Sequence, residues 1–148
     1  MHYLDIKLNG IDENGKEKEY KLCDYKGEKV IVYFYPEDDT PVCTEEAHKF
    51  KEALDKLKHY AKVIGVSHND TKTHKDFWKE HNLNFPLLSD INHKLKDAFK
   101  NHHKDVQHIS RSTFILDENG NVIKYWEKVD VDDHIEEIIK FFETQNKK

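Results

Sequence analysis

The chain has 148 residues, a length that suits one domain, residues 1–148, able to bury a core without staples. Charged residues make up 36% and the net charge is −5, so no basic excess points to nucleic acid or an anionic membrane. No apolar run approaches the ~20 residues that span a bilayer, and two cysteines, Cys23 and Cys43, are too few for a secreted disulfide scaffold.

The start, Met1 to Asp5, lacks the basic residues and apolar run of a signal peptide. A cytoplasmic location is therefore the expectation, and there a cysteine is either an inert core residue or a reactive thiol. Lys147 and Lys148 read as solvated surface.

Tyr3 to Leu8 alternates apolar Leu4, Ile6 and Leu8 with polar neighbours and predicts a strand. Asp12-Glu13-Asn14-Gly15 predicts a turn, and Glu17 to Lys21 a returning strand, giving an N-terminal β-hairpin. Val30 to Tyr35 is continuously apolar, β-branched and aromatic, as in a strand buried on both faces. Pro36 ends it. From Pro41 onward Ala47, Phe50, Leu54 and Leu57 form one apolar helical stripe, with Asp38, Asp39, Thr40 and Thr44 as candidate helix starters.

Ala61 to Ser67 predicts a second buried strand. A helix carrying Phe77 and Trp78 follows, with Thr71 or Thr73 as its cap. Phe85 to Ser89 predicts a short strand and Asn92 to Phe99 a helix. Asn101 to Ile109, with His102, His103 and His108, predicts a loop. Ser112 to Leu116 and Asn121 to Trp126 predict a hairpin around Asp117-Glu118-Asn119-Gly120. Ile135, Ile138, Ile139 and Phe142 then mark a last helix. This alternation implies an α/β fold: a mixed central sheet, parallel in its middle and flanked by helices, in thioredoxin-like order. The histidines show no tight metal-ligand spacing, so neither a metal nor another cofactor is expected.

Cys43 falls where a buried strand ends and a helix begins. Chemistry gathers at the carboxyl ends of such strands, and a helix start offers unpaired N–H groups and partial positive charge that favour a thiolate. Position alone leaves a core cysteine and a reactive thiol equally open.

The neighbours are informative. Pro36-Glu37-Asp38-Asp39-Thr40-Pro41-Val42-Cys43 resembles the active-site loop of the peroxiredoxins, with Pro36, Thr40 and Cys43 at the family's spacing. Gly65-Val66-Ser67, Phe85 to Asp90 and Arg111-Ser112-Thr113-Phe114 are similar to stretches of its PrxQ, or bacterioferritin comigratory protein, branch. The resemblance implies a thiol-dependent peroxidase of the thioredoxin fold that reduces hydrogen peroxide and organic hydroperoxides. Cys43 would be the nucleophile. Thr40 would accept a hydrogen bond from the peroxide and donate toward the sulfur. Arg111, the sole arginine in the chain, would lower the thiol pKa and stabilise the leaving oxygen. Pro36 would shape the rim, and Glu46 would hold the arginine or serve merely as a helix-start acid.

The match departs from the branch at two positions. His48 stands where many PrxQ members carry a resolving cysteine, and Val42 where they have glycine. Pro-Val-Cys-Thr instead resembles peroxiredoxins that work with one cysteine. Cys23 precedes the strand that Cys43 follows. Six strand residues span roughly 20 Å, whereas a disulfide needs Cα atoms within about 7 Å. The expectation is a one-cysteine cycle with an external thiol (thioredoxin, glutaredoxin or a small thiol) in a monomer or homodimer. Two other classes compete. A thiol–disulfide oxidoreductase would need a Cys-x-x-Cys pair, and Glu46 occupies that position. A redox sensor or chaperone-like binding protein would share the first chemical step without turning over.

Overall fold

The computed structural model describes residues 2–106 and 109–146. His108, Lys147 and Lys148 therefore lie outside the described residues. Seven strands form one mixed sheet in the order β2-β1-β5-β4-β3-β6-β7. They are β1 (Leu8–Ile11), β2 (Glu17–Tyr20), β3 (Val30–Phe34), β4 (Lys62–Ser67), β5 (Leu87–Ser89), β6 (Ser112–Leu116) and β7 (Val122–Trp126). The helices are α1 (Pro41–Leu57), α2 (Thr71–Glu80), α3 (Lys94–His102) and α4 (His134–Asn146). β3, β4 and β5 run parallel through the α1 and α2 crossovers, while β6 pairs antiparallel with β3.

The central strand β3 is buried along its whole length because both its faces are covered. Val30, Val32 and Phe34 pack with Leu95 and Phe99 of α3. Ile31 and Tyr33 pack with Ala47 and Phe50 of α1, Phe77 of α2, and Ile138 and Phe142 of α4. The period-2 alternation thus divides one apolar run between two cores. The Asp12–Gly15 turn forms as expected. Gly15 takes φ +84, and a Cβ there would come within 2.7 Å of the Trp78 ring, so both backbone and packing demand glycine.

Several sequence expectations are corrected. Tyr3–Asp5 is a 3-10 helix and the strand begins only at Leu8. The buried Tyr3 ring stacks on Phe99 with 4.4 Å between centroids, and its hydroxyl donates to the Gly120 carbonyl at 2.6 Å. These tertiary anchors override a three-member alternation. Neither Thr71 nor Thr73 caps α2; Asp70 does, accepting from the Thr73 N–H at 2.8 Å. α3 starts at Lys94 and runs through His102, so two residues of the expected loop are helical. Asp90 accepts from the N–H groups of Leu95 and Lys96 at 2.9 and 3.0 Å and satisfies the start of α3 from outside.

Candidate active site

β3 delivers the chain to the carboxyl edge of the sheet. The Tyr35 N–H donates to the Val66 carbonyl at 3.0 Å, and Pro36 then lies exposed. Asp39 takes φ +64 and turns the backbone. Thr40 is the extended N-cap residue of α1 and Pro41 its first helical residue, a position where proline's missing N–H costs nothing. The first helical bond runs from the Thr44 N–H to the Thr40 carbonyl at 2.9 Å. The N–H groups of Val42 and Cys43 precede that bond and project from the helix start. Thr40 directs its hydroxyl proton at the Glu37 carbonyl, 3.1 Å away. The hydroxyl proton thus goes to a carbonyl of the loop itself and not toward the sulfur as expected. The hydroxyl oxygen keeps its lone pairs for an incoming donor.

β6 brings in the arginine. Its antiparallel register pairs Ser112 with Phe34, so Arg111 arrives beside the end of β3, where α1 begins. One arm of the guanidinium, Nη2, donates to Cys43 Sγ at 3.2 Å. The other, Nη1, donates to Glu46 Oε1 at 2.8 Å. Glu46 lies three residues beyond Cys43, on the same face of α1. Cys43 is 1% exposed and packs among Tyr33, Tyr35, Ala47 and Phe50. A thiolate in this apolar setting is held by one cation and by the helix start.

The two charged partners of this cluster are shifted in the same direction. Burial works against the Arg111 cation, but its hydrogen bond to Cys43 and the charge of Glu46 outweigh that and hold its pKa above the usual value. Burial raises the Glu46 carboxyl to about 7 despite the opposing pull of Arg111. Folded protein therefore takes up a proton on Glu46 before unfolded protein does. By linkage, the Glu46 contribution to stability is highest below about pH 4.5 and falls as pH rises to about 7, by roughly 3 kcal/mol. Glu46→Gln keeps an acceptor for Arg111 and removes the titration. The stability of this variant relative to the parent chain should climb by roughly 3 kcal/mol between pH 4.5 and 7.5 in urea unfolding. A constant difference across that range would show that Glu46 ionises normally.

A second buried polar group adjoins the loop, and sequence reasoning missed it. The Tyr35 hydroxyl donates to Asp38 Oδ1 at 2.6 Å, His74 Nδ1 lies 2.6 Å from Asp38 Oδ2, and His74 Nε2 lies 3.0 Å from the Leu88 carbonyl. Asp38 reads in the sequence as a helix starter only, and His74 carries no motif. No local signal joins two residues 36 positions apart.

His48 sits half-buried on α1, its Nε2 3.0 Å from His81 Nδ1. Asp39, Glu80 and His81 each bring one ligand-type atom within 4.8 Å of the others, at a surface where carboxylates commonly gather without an ion. Both cysteines are free thiols. Cys23 lies in a 3-10 helix, Leu22–Tyr25, that precedes β3, at the opposite end of that strand from Cys43. A cleft of about 200 Å³ borders Pro36, with His68, His93, Lys96 and Ser110 among its walls. A larger cleft, lined by Tyr20, Tyr25, Lys58 and Lys62, touches none of these site residues.

This geometry is a thiol buried at a helix start, held by an arginine that a carboxylate orients in turn. The chain is similar to known proteins over nearly its whole length. Residues 2–125 match the model of the AhpC/TSA family. The chain belongs to the AhpC/TSA family. Within it, the chain is 40% identical to peroxiredoxin Bcp of Bacillus subtilis, across 97% of this chain and 94% of that protein. It is 37% identical to the chloroplastic peroxiredoxin Q of Gentiana triflora, across 90% of this chain and 62% of that one. Among solved structures, the bacterioferritin comigratory protein of Xanthomonas campestris, studied for alkyl peroxide reduction, superposes with a TM-score of 0.85 at 30% identity, covering 97% of this chain and 93% of that one. The chain is a thiol-dependent peroxidase of thioredoxin-like fold, using peroxide as oxidant and a thiol as reductant. No helix among the described residues is long and apolar enough to cross a membrane.

Proposed function

We propose that Cys43 is the peroxidatic nucleophile and that another molecule restores it. The observation that carries this reading is the Arg111 fork, which spans Cys43 Sγ and Glu46 Oε1. The Cys43 thiolate attacks one peroxide oxygen in line with the O–O bond. That bond breaks, the distal oxygen leaves as water or an alcohol after taking up a proton, and the sulfur becomes a sulfenic acid. Such a displacement gains most from donors already aimed at the developing charge. Arg111 and the Cys43 N–H supply them, the Thr40 hydroxyl accepts from the peroxide, and Pro36 forms the rim. Glu46 holds the guanidinium in plane.

Recycling then needs a thiol. His48 cannot supply one, and Cys23 lies at the far end of β3. An external thiol attacks the sulfenic acid, releasing water and forming a mixed disulfide, and a second thiol frees Cys43. Thioredoxin, glutaredoxin or a small thiol fits this role, acting on a monomer or homodimer in the reducing cytoplasm. One equivalent of peroxide followed by intact-protein mass spectrometry tests the cycle. The expected product gains one oxygen atom, and Cys23→Ser gives the same product at the same rate. Loss of two hydrogens, with a Cys23–Cys43 crosslink in the peptides, would overturn the one-cysteine reading.

A further inference from the structure

We propose that Asp38 is a positioning residue for peroxide attack, fixing the 36–40 loop through His74 and Tyr35. The inference rests on Cys43 being the nucleophile.

The loop carries Thr40, whose hydroxyl must meet the peroxide, and leads into the start of α1, yet Pro36 and Glu37 at its start are exposed. Asp38 is the point at which it enters the interior. Its carboxylate is wholly buried, as is His74. A carbonyl can only accept, so His74 Nε2 donates to Leu88 and the ring is oriented by β5. The remaining short contact, His74 Nδ1 to Asp38 Oδ2, holds one proton between the two groups. Tyr35, at the end of β3, fills the other carboxylate oxygen. Burial, and then the neighbouring Asp38 charge, push the Tyr35 phenol well above its ordinary pKa, so it stays a donor. The Asp38 N–H donates to Asn69 Oδ1 at 2.9 Å, and Ser67 Oγ donates to the same oxygen at 2.8 Å.

One residue of the loop is thereby tied to β3, β5, α2 and the end of β4. The next residue, Asp39, makes its left-handed turn and Thr40 begins the helix. A shift of Asp38 is carried directly into the helix start. Cys43 itself stays anchored by the α1 core and by Arg111. The loop-borne contacts to peroxide should therefore fail while the thiolate survives.

The test compares the parent chain with Asp38→Ala, Asp38→Asn and Tyr35→Phe. Stopped-flow mixing of reduced protein with hydrogen peroxide gives the second-order rate, thiolate ultraviolet absorbance gives the Cys43 pKa, and urea unfolding verifies the fold. Asp38→Ala should react at least about tenfold more slowly at unchanged thiol pKa. Asp38→Asn, whose amide can donate to His74 Nδ1 and whose oxygen can accept from Tyr35, should restore the rate to within about threefold. Tyr35→Phe, which removes one hydroxyl, should fall between them and decides the matter if Asp38→Ala does not fold. A parent-like rate in Asp38→Ala or Tyr35→Phe would overturn the proposal. So would a slow Asp38→Asn, or a loss that tracks a raised thiol pKa, since either makes charge rather than position the cause. Failure of the underlying reading looks different: the parent chain itself would then react with peroxide at some residue other than Cys43.

Discussion

Replacing Cys43 by serine is expected to reduce peroxide consumption to the uncatalysed rate, with the fold unchanged. Serine is close in shape, and the Arg111 fork can still donate to its oxygen. The chemistry nevertheless disappears. A hydroxyl does not ionise near neutral pH, and oxygen lacks the soft, readily oxidised lone pair that opens the O–O bond. Steady-state assays with several thiol reductants read the loss, and urea unfolding verifies the fold. Cys23→Ser, which touches none of the site, is the matched control and should keep the parent rate of sulfenic acid formation. Activity in Cys43→Ser that falls only when Cys23 is also replaced would move the chemistry to the wrong end of β3.

The second large effect concerns Arg111. Arg111→Ala should slow the reaction with peroxide by about 10²–10³-fold, the usual cost of removing one preorganised donor. Stopped-flow mixing of the reduced variant with hydrogen peroxide reads the loss. Arg111→Lys retains the charge but not the planar fork that reaches Sγ and Glu46 Oε1 together. It should recover only part of the rate. Removing one member of a buried ion pair usually costs much stability. Here Glu46 already titrates near 7 and can take a proton once the cation is gone, so the variant should stay folded and the kinetic loss should be readable. A rate unchanged in Arg111→Ala would remove the guanidinium from the mechanism.

How far the sequence discloses this site depends on the range of the interactions. The β3 run, the α1 stripe and the Ser112–Leu116 strand are legible because burial imposes a period on adjacent residues. Pro36, Thr40, Cys43 and Glu46 lie within eleven residues and share one strand-to-helix turn, so their spacing carries information. Arg111 is distant but conspicuous, since every other permanently charged cation is lysine. The structure brings Cys43, Glu46 and Arg111 into direct contact and sets Thr40 one helical turn before Cys43.

What stayed hidden is long-range and unmarked. The alternation at Leu4, Ile6 and Leu8 imitates a strand, but the Tyr3 contacts with Phe99 and Gly120 decide the local conformation. Asp70 and Asp90 cap helices from positions where threonines or nearer residues look equally able. The Asp38–His74 contact joins a loop to a helix 36 positions further on, and nothing near either residue announces the other. His48 illustrates the opposite case. The sequence shows plainly that it is not a thiol, but its pairing with His81 depends on how α1 and α2 pack.

The most direct measurement of the central claim is trapping of the first oxidation product. Reduced protein is mixed with one equivalent of hydrogen peroxide in the presence of dimedone, which captures sulfenic acids, and the digest is mapped by mass spectrometry. The account predicts one adduct, on the peptide containing Cys43, formed in the parent chain and in Cys23→Ser and absent from Cys43→Ser. An adduct on Cys23 with Cys43 unmodified would contradict it.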